Sequence, residues 1–455
     1  MAVSARKRIW GWYFFDWASQ PYNTLLLTFI FAPYFGEVAR AHFAALGMGA
    51  EAAGAAAQAY WGTGLTIAGV LIAVLAPILG AIADQSGRRM VWIWFFSACY
   101  VAGAWGLWFL LPEAGGLFWP VAFFGLGLIG MEFATIFTNA LLPALGNHDE
   151  IGGISGSGFA FGYLGGVVAL VLMLTLLAES GAGGRTLIGI APLFGLDPVL
   201  REGTRAVGPF SAIWYAVFMV PFFLWVREPK VARRRLDIGA ALGDLRRLLR
   251  SLLHRPSLAA YLGSAMLYRD ALNGLFGFGG IYAGGVLGWS ILQIGVFGII
   301  GAVAAMVASW IGGRADRAYG PKPVIVVSIL VLIAVCVIIV GLTRGGLWGI
   351  GFAEGSALPD RIFYLCGALI GGAGGSLQAS SRTMMVRHTS PDRATEAFGL
   401  YALSGKATAF LAPAMIALVT ALTGNQRWGV SPLIVLFGIG LVLMIRVRAE
   451  GEREG

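Results

Sequence analysis

The feature that most constrains this chain is a succession of apolar runs, each about 20 residues long, separated by short stretches that hold nearly all of its charge. A helix of about 20 apolar residues spans the hydrocarbon of a bilayer, whereas a soluble helix of that length shows a polar face. The runs predict helices near residues 10–36, 58–80, 91–111, 117–142, 154–179, 209–226, 258–285, 290–311, 322–343, 361–386, 396–423 and 429–446. Composition agrees: 58% of the residues are hydrophobic and only 12% charged, against about 25% charged in ordinary soluble domains. So little charge cannot cover a soluble particle of 455 residues, so the expected class is an all-α integral membrane protein with twelve transmembrane helices.

The net charge of +9 invites a nucleic-acid reading, but its distribution argues for topology. With the N-terminus inside and the spans alternating, 23 of the 32 Lys and Arg fall in cytoplasmic segments, and Arg269 and Lys406 lie within spans. This positive-inside bias places both termini in the cytoplasm and removes the need for a nucleic-acid partner. The opening Arg6-Lys7-Arg8 and the apolar run after it look superficially like a signal peptide. The run is too long for a secretory core, contains Asp16 and lacks a small-residue cleavage site, so it reads as the first span.

Cys99, Cys336 and Cys366 fall inside spans, and His42, His148, His254 and His388 in loops or at helix ends. Neither set has metal-ligand spacing, so no metal or cofactor is expected. There is no nucleotide-binding glycine loop and no nucleophile elbow, so neither ATP drive nor enzymatic chemistry is expected.

Between the sixth and seventh spans, residues 227–257 carry nine basic residues. Ile238, Leu242, Leu245, Leu249 and Leu252 recur there at helical steps with Arg246, Arg247 and Arg250 off the stripe, which predicts an amphipathic helix on the inner leaflet. This segment divides the chain into halves at 1–226 and 258–455, and two echoes suggest that the halves are repeats. Gly80, Asp84, Gly87, Arg88 and Arg89 follow span two, and Gly312, Asp316, Gly320 and Lys322 follow span eight, with the aspartates 232 residues apart. Ala160-Phe161-Gly162 and Ala397-Phe398-Gly399 are offset by 237. Similar offsets at unrelated landmarks are what a duplicated six-helix unit produces.

The first of these loops resembles the signature G-x-x-x-D-x-x-G-R-R of the major facilitator superfamily and matches it at every fixed position. The resemblance implies a major facilitator fold of two six-helix halves, with this loop as a cytoplasmic gate that latches the outward-facing state. In physical terms the aspartate can cap a neighbouring helix N-terminus. The second copy, around Asp316, departs from the signature by one extra residue before its glycine turn.

Buried ionisable groups cost about 2.5–3.5 kcal/mol each on insertion scales, so their positions carry information. Asp16 lies in span one, Glu132 in span four and Arg269 with Asp270 in span seven, while span ten carries Gln378 and Arg382 toward its inner end, where the arginine counts with the cytoplasmic charge above. Helical steps join Asp16, Gln20 and Asn23 into one polar stripe and Glu132 with Asn139 into another; Tyr268 and Asn273 accompany the span-seven pair. Such stripes would line a wet path, though polar groups also serve to bond helices together. The ladders Gly158-Gly162-Gly166 and Gly367-Gly371-Gly375 read instead as packing surfaces.

A narrower resemblance rests on Phe15-Asp16-Trp17-Ala18-Ser19, Asn139 to Pro143, Gly162-Tyr163-Leu164-Gly165-Gly166, Tyr268-Arg269-Asp270, Ser381-Arg382, Phe398 to Tyr401 and Gly405-Lys406. These segments, in this order, are similar to the vacuole effluxer family, the autophagy-related permeases and their bacterial relatives. Ala271 departs from the glycine that the family favours after Asp270. The resemblance implies export of amino acids or similar small solutes, while the Ala/Gly/Arg-rich composition suits a bacterial inner membrane.

The expected function is therefore secondary transport of a small polar or zwitterionic solute by alternating access, as a monomer. Asp16, Glu132 and Asp270 are its candidate proton sites in a proton-coupled efflux. Arg269 and Lys406 could hold a substrate carboxylate or neutralise those acids. Rival readings are a lysolipid or lipid flippase and a permease-like sensor that binds without transport.

Overall fold

The computed structural model describes residues 3–452 except 114–115, 180–182, 229–242, 244–249, 251 and 290. Most of the amphipathic segment expected between the halves lies outside the described residues. Among the described residues, ten helices are long and apolar enough to cross a membrane. The expected first and seventh spans are also helical, but they are the two with dense polar stripes, which lowers their hydropathy.

The helices used below are α1 (Ala5–Pro21), α2 (Phe31–Ala45), α3 (Ala50–Ser86), α4 (Arg89–Gly106), α5 (Phe118–Asn139), α6 (Ile151–Leu172) and α7 (Val207–Phe218). They are followed by α8 (Pro256–Leu287), α9 (Ile291–Tyr319), α10 (Pro321–Gly341), α11 (Leu358–Arg387), α12 (Ala394–Ala407), α13 (Leu411–Thr423) and α14 (Ser431–Ile445). The chain forms two compact units, one of Met1–Leu75, Arg88–Thr138 and Phe161–Pro229, the other of Ala76–Gly87, Asn139–Ala160 and Lys230–Gly455.

In the first unit α1 starts at Ser4, whose hydroxyl accepts from the Lys7 N–H at 3.4 Å. The expected continuous span over 10–36 is interrupted. Pro21 has no N–H to bond back into the helix, a π-helical stretch follows over Tyr22–Phe29, and the chain bends at Ile30 before α2. Tyr22 fixes the irregular stretch by donating to the Phe124 carbonyl of α5 at 2.5 Å and meeting Tyr100 of α4 edge-on. The Trp12 indole donates to the Thr138 carbonyl at 2.9 Å. Tyr100 stacks on Tyr215 of α7 with centroids 3.9 Å apart, tying α4 to α7.

In the second unit the tightest approach is between α9 and α11. A Cβ on Gly371 would fall inside contact distance of the Gly301 backbone carbonyl, and one on Gly375 would lie 2.9 Å from the Ala305 carbonyl. No side chain can yield at Gly371, because both groups are backbone. Gly371→Ala is therefore expected to force the helices apart at a cost of about 3 kcal/mol, read as a fall of several degrees in the thermal midpoint of purified protein.

The described residues are mostly helical, as expected, with one small addition. The loop after α10 forms a three-stranded antiparallel sheet of β1 (Leu342–Thr343), β2 (Gly346–Leu347) and β3 (Ile350–Gly351). Glycines at 345, 346, 349 and 351 permit its tight reversals, and these lie in a segment too polar and too glycine-rich to extend α10.

Candidate transport site

The second unit brings together most of the charged residues singled out from sequence. The expected span over 396–423 is broken: α12 ends at Ala407, residues 408–410 form a turn, and α13 begins at Leu411. Pro413 sits in the first turn of α13, where a missing N–H costs nothing, and was the available sequence signal for a restart.

Span seven meets both sides of this break. Asp270, 1% exposed, accepts the Ala412 N–H through Oδ2 at 2.9 Å and so caps α13, while its Oδ1 has no hydrogen-bond partner. Arg269 points elsewhere. Its guanidinium donates to the Tyr401 carbonyl of α12 at 2.8 Å and lies 4.3 Å from the centroid of the Tyr401 ring. A Cβ on Gly405 would come within 2.5 Å of that guanidinium, so this glycine gives the cation its place against α12. Thr408, in the break, donates to the Met266 carbonyl at 3.3 Å. Two successive residues of α8 thus engage separate segments of one discontinuous helix, as their 100° divergence permits. Lys406 is half-buried on α12, one residue from Gly405.

Tyr268 is fully buried and shares a hydrogen bond of 2.7 Å with the Ser381 hydroxyl, while Tyr261 donates to the Ser381 carbonyl at 2.5 Å. Asn273 is exposed, and Gln378 is half-buried with its amide donating to the Gly374 carbonyl at 3.4 Å.

Arg382 and Asn139, far apart in sequence, meet. Arg382 is 3% exposed and donates to the Asn139 side-chain oxygen at 3.1 Å, the Ser155 hydroxyl at 3.0 Å and the Ser155 carbonyl at 2.8 Å. Phe159 lies under the guanidinium, 4.3 Å from centroid to carbon. Arg382 therefore holds the hairpin between α5 and α6 onto α11.

The two signature-type loops make comparable approaches to helix starts. Asp84 accepts the N–H groups of Thr395 at 3.2 Å and Glu396 at 2.8 Å, at the first turn of α12. A Cβ on Gly80 would lie 2.7 Å from the Thr395 carbonyl, so this approach needs the glycine. Gly87 takes a left-handed turn with φ 59°, Arg88 is exposed, and buried Arg89 donates its backbone N–H to the Glu228 carboxylate. Asp316, 1% exposed, has its carboxyl against Gly152 in the first turn of α6, where a Cβ would lie 2.5 Å from its Cγ.

In the first unit Asp16, Gln20 and Asn23 are half-buried. Cβ atoms on Gly162 and Gly166 would lie 3.1 Å from the Asp16 Cβ and 2.8 Å from the Gln20 Cγ, so the polar stripe of α1 lies against the glycine face of α6. Glu132 and Tyr163 are half-buried on α5 and α6.

One cluster had no clear sequence signal. His388, at the end of α11, is 1% exposed; its Nδ1–H donates to the Met384 carbonyl at 2.9 Å, and Nε2 pairs with the Ser257 hydroxyl at 2.9 Å. Glu452 accepts the Ser257 N–H at 3.0 Å and so caps α8 with the C-terminal tail, while Arg255 donates to the His388 carbonyl at 2.8 Å. A lone histidine at a helix end and a glutamate near the C-terminus carry no pattern that joins them.

Burial above all, with the positive charge of nearby Arg255 acting in the same direction, lowers the His388 pKa from 6.5 to about 4. The unfolded chain then takes up a proton below pH 6.5 that the folded chain refuses until about pH 4. Stability is full above pH 6.5 and falls across that window by up to about 3 kcal/mol. Thermal midpoints measured from pH 7.5 to 5 are expected to fall less steeply in His388→Gln.

The fold is that of the major facilitator class of membrane transporter. A human organic anion transporter, MFSD10, matches with a TM-score of 0.71 at 15% identity, covering 97% of this chain and 99% of that one. The proton:xylose symporter XylE matches with a TM-score of 0.68 at 11% identity, over 98% of each chain. Within this class the chain belongs to the family described as vacuole effluxer Atg22 like, which it matches over residues 4–454. An uncharacterized MFS-type transporter of Bacillus subtilis, YxiO, is 26% identical over 97% of this chain and 94% of that protein. Autophagy-related protein 22 of Cryptococcus neoformans is 24% identical over 66% of this chain and 51% of its own length. The chain is a multi-pass membrane protein of a transporter family, acting on small molecules, and not an enzyme.

Proposed function

We propose that this protein is a proton-coupled secondary transporter that exports a small zwitterionic, amino-acid-like solute across the bacterial inner membrane, as a monomer with both termini cytoplasmic. The observation that carries the reading is the placement of Arg269 and Asp270 on opposite sides of the break in the α12–α13 segment. Discontinuous helices with charged partners at the broken ends are how transporters of this general kind bind solutes and ions within the membrane. In this reading the Asp270 carboxyl carries the proton, Arg269 and Lys406 meet the solute carboxylate, and the polar stripes of α1 and α5 line the path. Asp84, with Arg382 and Asp316, forms the cytoplasmic gate. The basic excess at the termini and between the halves supports the orientation. A neighbour of the same fold is a proton:xylose symporter, which makes proton coupling on this scaffold chemically reasonable.

The test is counterflow in proteoliposomes. Purified protein, preloaded in turn with single amino acids, should accumulate the matching labelled amino acid, and an imposed pH gradient should drive net flux that an uncoupler abolishes. Saturable counterflow indifferent to gradient and uncoupler would remove the proton; absence of counterflow with every amino acid would remove the solute class.

A further inference from the structure

The small sheet after α10 and the turn at Arg427 and Trp428, just before α14, line a cavity of about 360 Å³ at the end of the helices remote from the C-terminus. Its walls include Gly341, Gly346, Trp348, Ile350, Arg427 and Trp428, none of which belongs to the site above. Trp348 adopts φ 49°, a left-handed conformation that bulky residues rarely take and that often marks a functional position. Its backbone N–H donates to the Gly341 carbonyl at 3.1 Å and its indole to the Val337 carbonyl at 3.1 Å. Any Cβ on Gly341 would collide with the indole, so this glycine makes room for it. Trp428 meets Trp348 edge-on with centroids 6.5 Å apart, and the two rings remain 44% and 55% exposed.

Arg427 supplies the second observation. It is half-buried, and its guanidinium makes no hydrogen bond or ion pair with any described residue. Arg344, in the same loop region, is by contrast fully engaged with Asp360 at 2.7 Å and the Leu287 carbonyl at 2.6 Å. A guanidinium partly withdrawn from water beside apolar walls calls for an anion, and its planar fork matches phosphate through paired hydrogen bonds. Tryptophans at the ends of apolar helices sit at headgroup depth. The described lining holds no carboxylate that could receive the ammonium of a zwitterionic headgroup.

We propose that this cavity binds the phosphodiester of an anionic phospholipid, with Arg427 on the phosphate and the two indoles flanking the headgroup. The test uses the full chain, purified in a neutral detergent, with dioleoyl phosphatidylglycerol, dioleoyl phosphatidylcholine or inorganic phosphate added at equal concentration. Phosphatidylglycerol is expected to raise the thermal midpoint by about 3 °C in the wild type and in Arg361→Gln, which removes an exposed cation at the start of α11, but not in Arg427→Gln. Arg427→Lys, which keeps the charge and loses the fork, should show a reduced shift. An equal shift in Arg427→Gln, an equal shift with phosphatidylcholine, or an equal shift with inorganic phosphate would each overturn the proposal. Should Arg427→Gln fail to fold, quenching of tryptophan fluorescence decides instead: brominated phosphatidylglycerol must quench the wild type more than brominated phosphatidylcholine does, and Trp348→Phe must shrink the difference.

Discussion

Arg382→Gln is expected to raise labelling of a cysteine placed at Thr383 about 100-fold, in a background lacking Cys99, Cys336 and Cys366, when a membrane-impermeant maleimide is applied from the cytoplasmic side. Thr383 is 1% exposed and follows Arg382 directly. The wild-type guanidinium bonds three acceptors, two on Ser155 and one on Asn139. Removing it leaves buried acceptors without donors, which costs about 1–3 kcal/mol for each group that water cannot reach. A loss of about 3 kcal/mol confined to the state with the α5–α6 hairpin seated on α11 changes the balance of seated and unseated states by about 100-fold. Arg382→Lys should behave much like the glutamine variant, because an ammonium cannot span the Ser155 hydroxyl, the Ser155 carbonyl and the Asn139 amide at once. Since labelling needs no knowledge of the solute, the outcome bears on the gate alone. Unchanged labelling in both variants would make Arg382 a packing residue.

The same residues show how far the sequence could be read. The apolar runs and the signature-like loop at Gly80–Arg89 were enough for the class, and the ordered segments from Phe15 to Lys406 for the family, because all of these depend on local pattern. Arg382 and Asn139 were each marked as expensive polar groups inside apolar helices, but their meeting was not legible. Contact across 243 residues depends on how helices pack, and no local spacing encodes that. The irregular backbone was legible only in fragments. Pro21 and Pro413 mark positions where a helix must deviate or restart, yet they do not say that eight residues after Pro21 become π-helical or that the turn at 408–410 receives an aspartate from another helix. The clamp of Glu452 and His388 on the start of α8 was the least legible, since a tail contact leaves no periodicity behind. The unpartnered cation at Arg427 could not be distinguished in sequence from a topological arginine, because only its surroundings separate the two.

Asp270→Asn is expected to abolish net flux driven by a pH gradient, by about 100-fold or more, while solute counterflow persists. The asparagine side chain keeps an oxygen that can accept the Ala412 N–H, as Asp270 Oδ2 does at 2.9 Å, so the cap on α13 survives with little loss of stability. What is lost is the capacity to gain and release a proton at the second oxygen, Oδ1, which has no hydrogen-bond partner. Net flux needs that step once per cycle if Asp270 carries the proton, whereas exchange of solute for solute does not. Asp270→Ala separates this role from the structural one. It leaves the Ala412 N–H without an acceptor at the start of a half-helix, so it should lower the thermal midpoint in proportion to a cost of about 1–2 kcal/mol and depress counterflow as well. Wild-type gradient-driven flux in Asp270→Asn would move the coupling proton elsewhere, with Asp16 and Glu132 the next residues to neutralise. Loss of counterflow in Asp270→Asn without loss of stability would instead place the carboxylate on the solute, where an amino group could take the position at Oδ1 that the proton reading assigns to hydrogen.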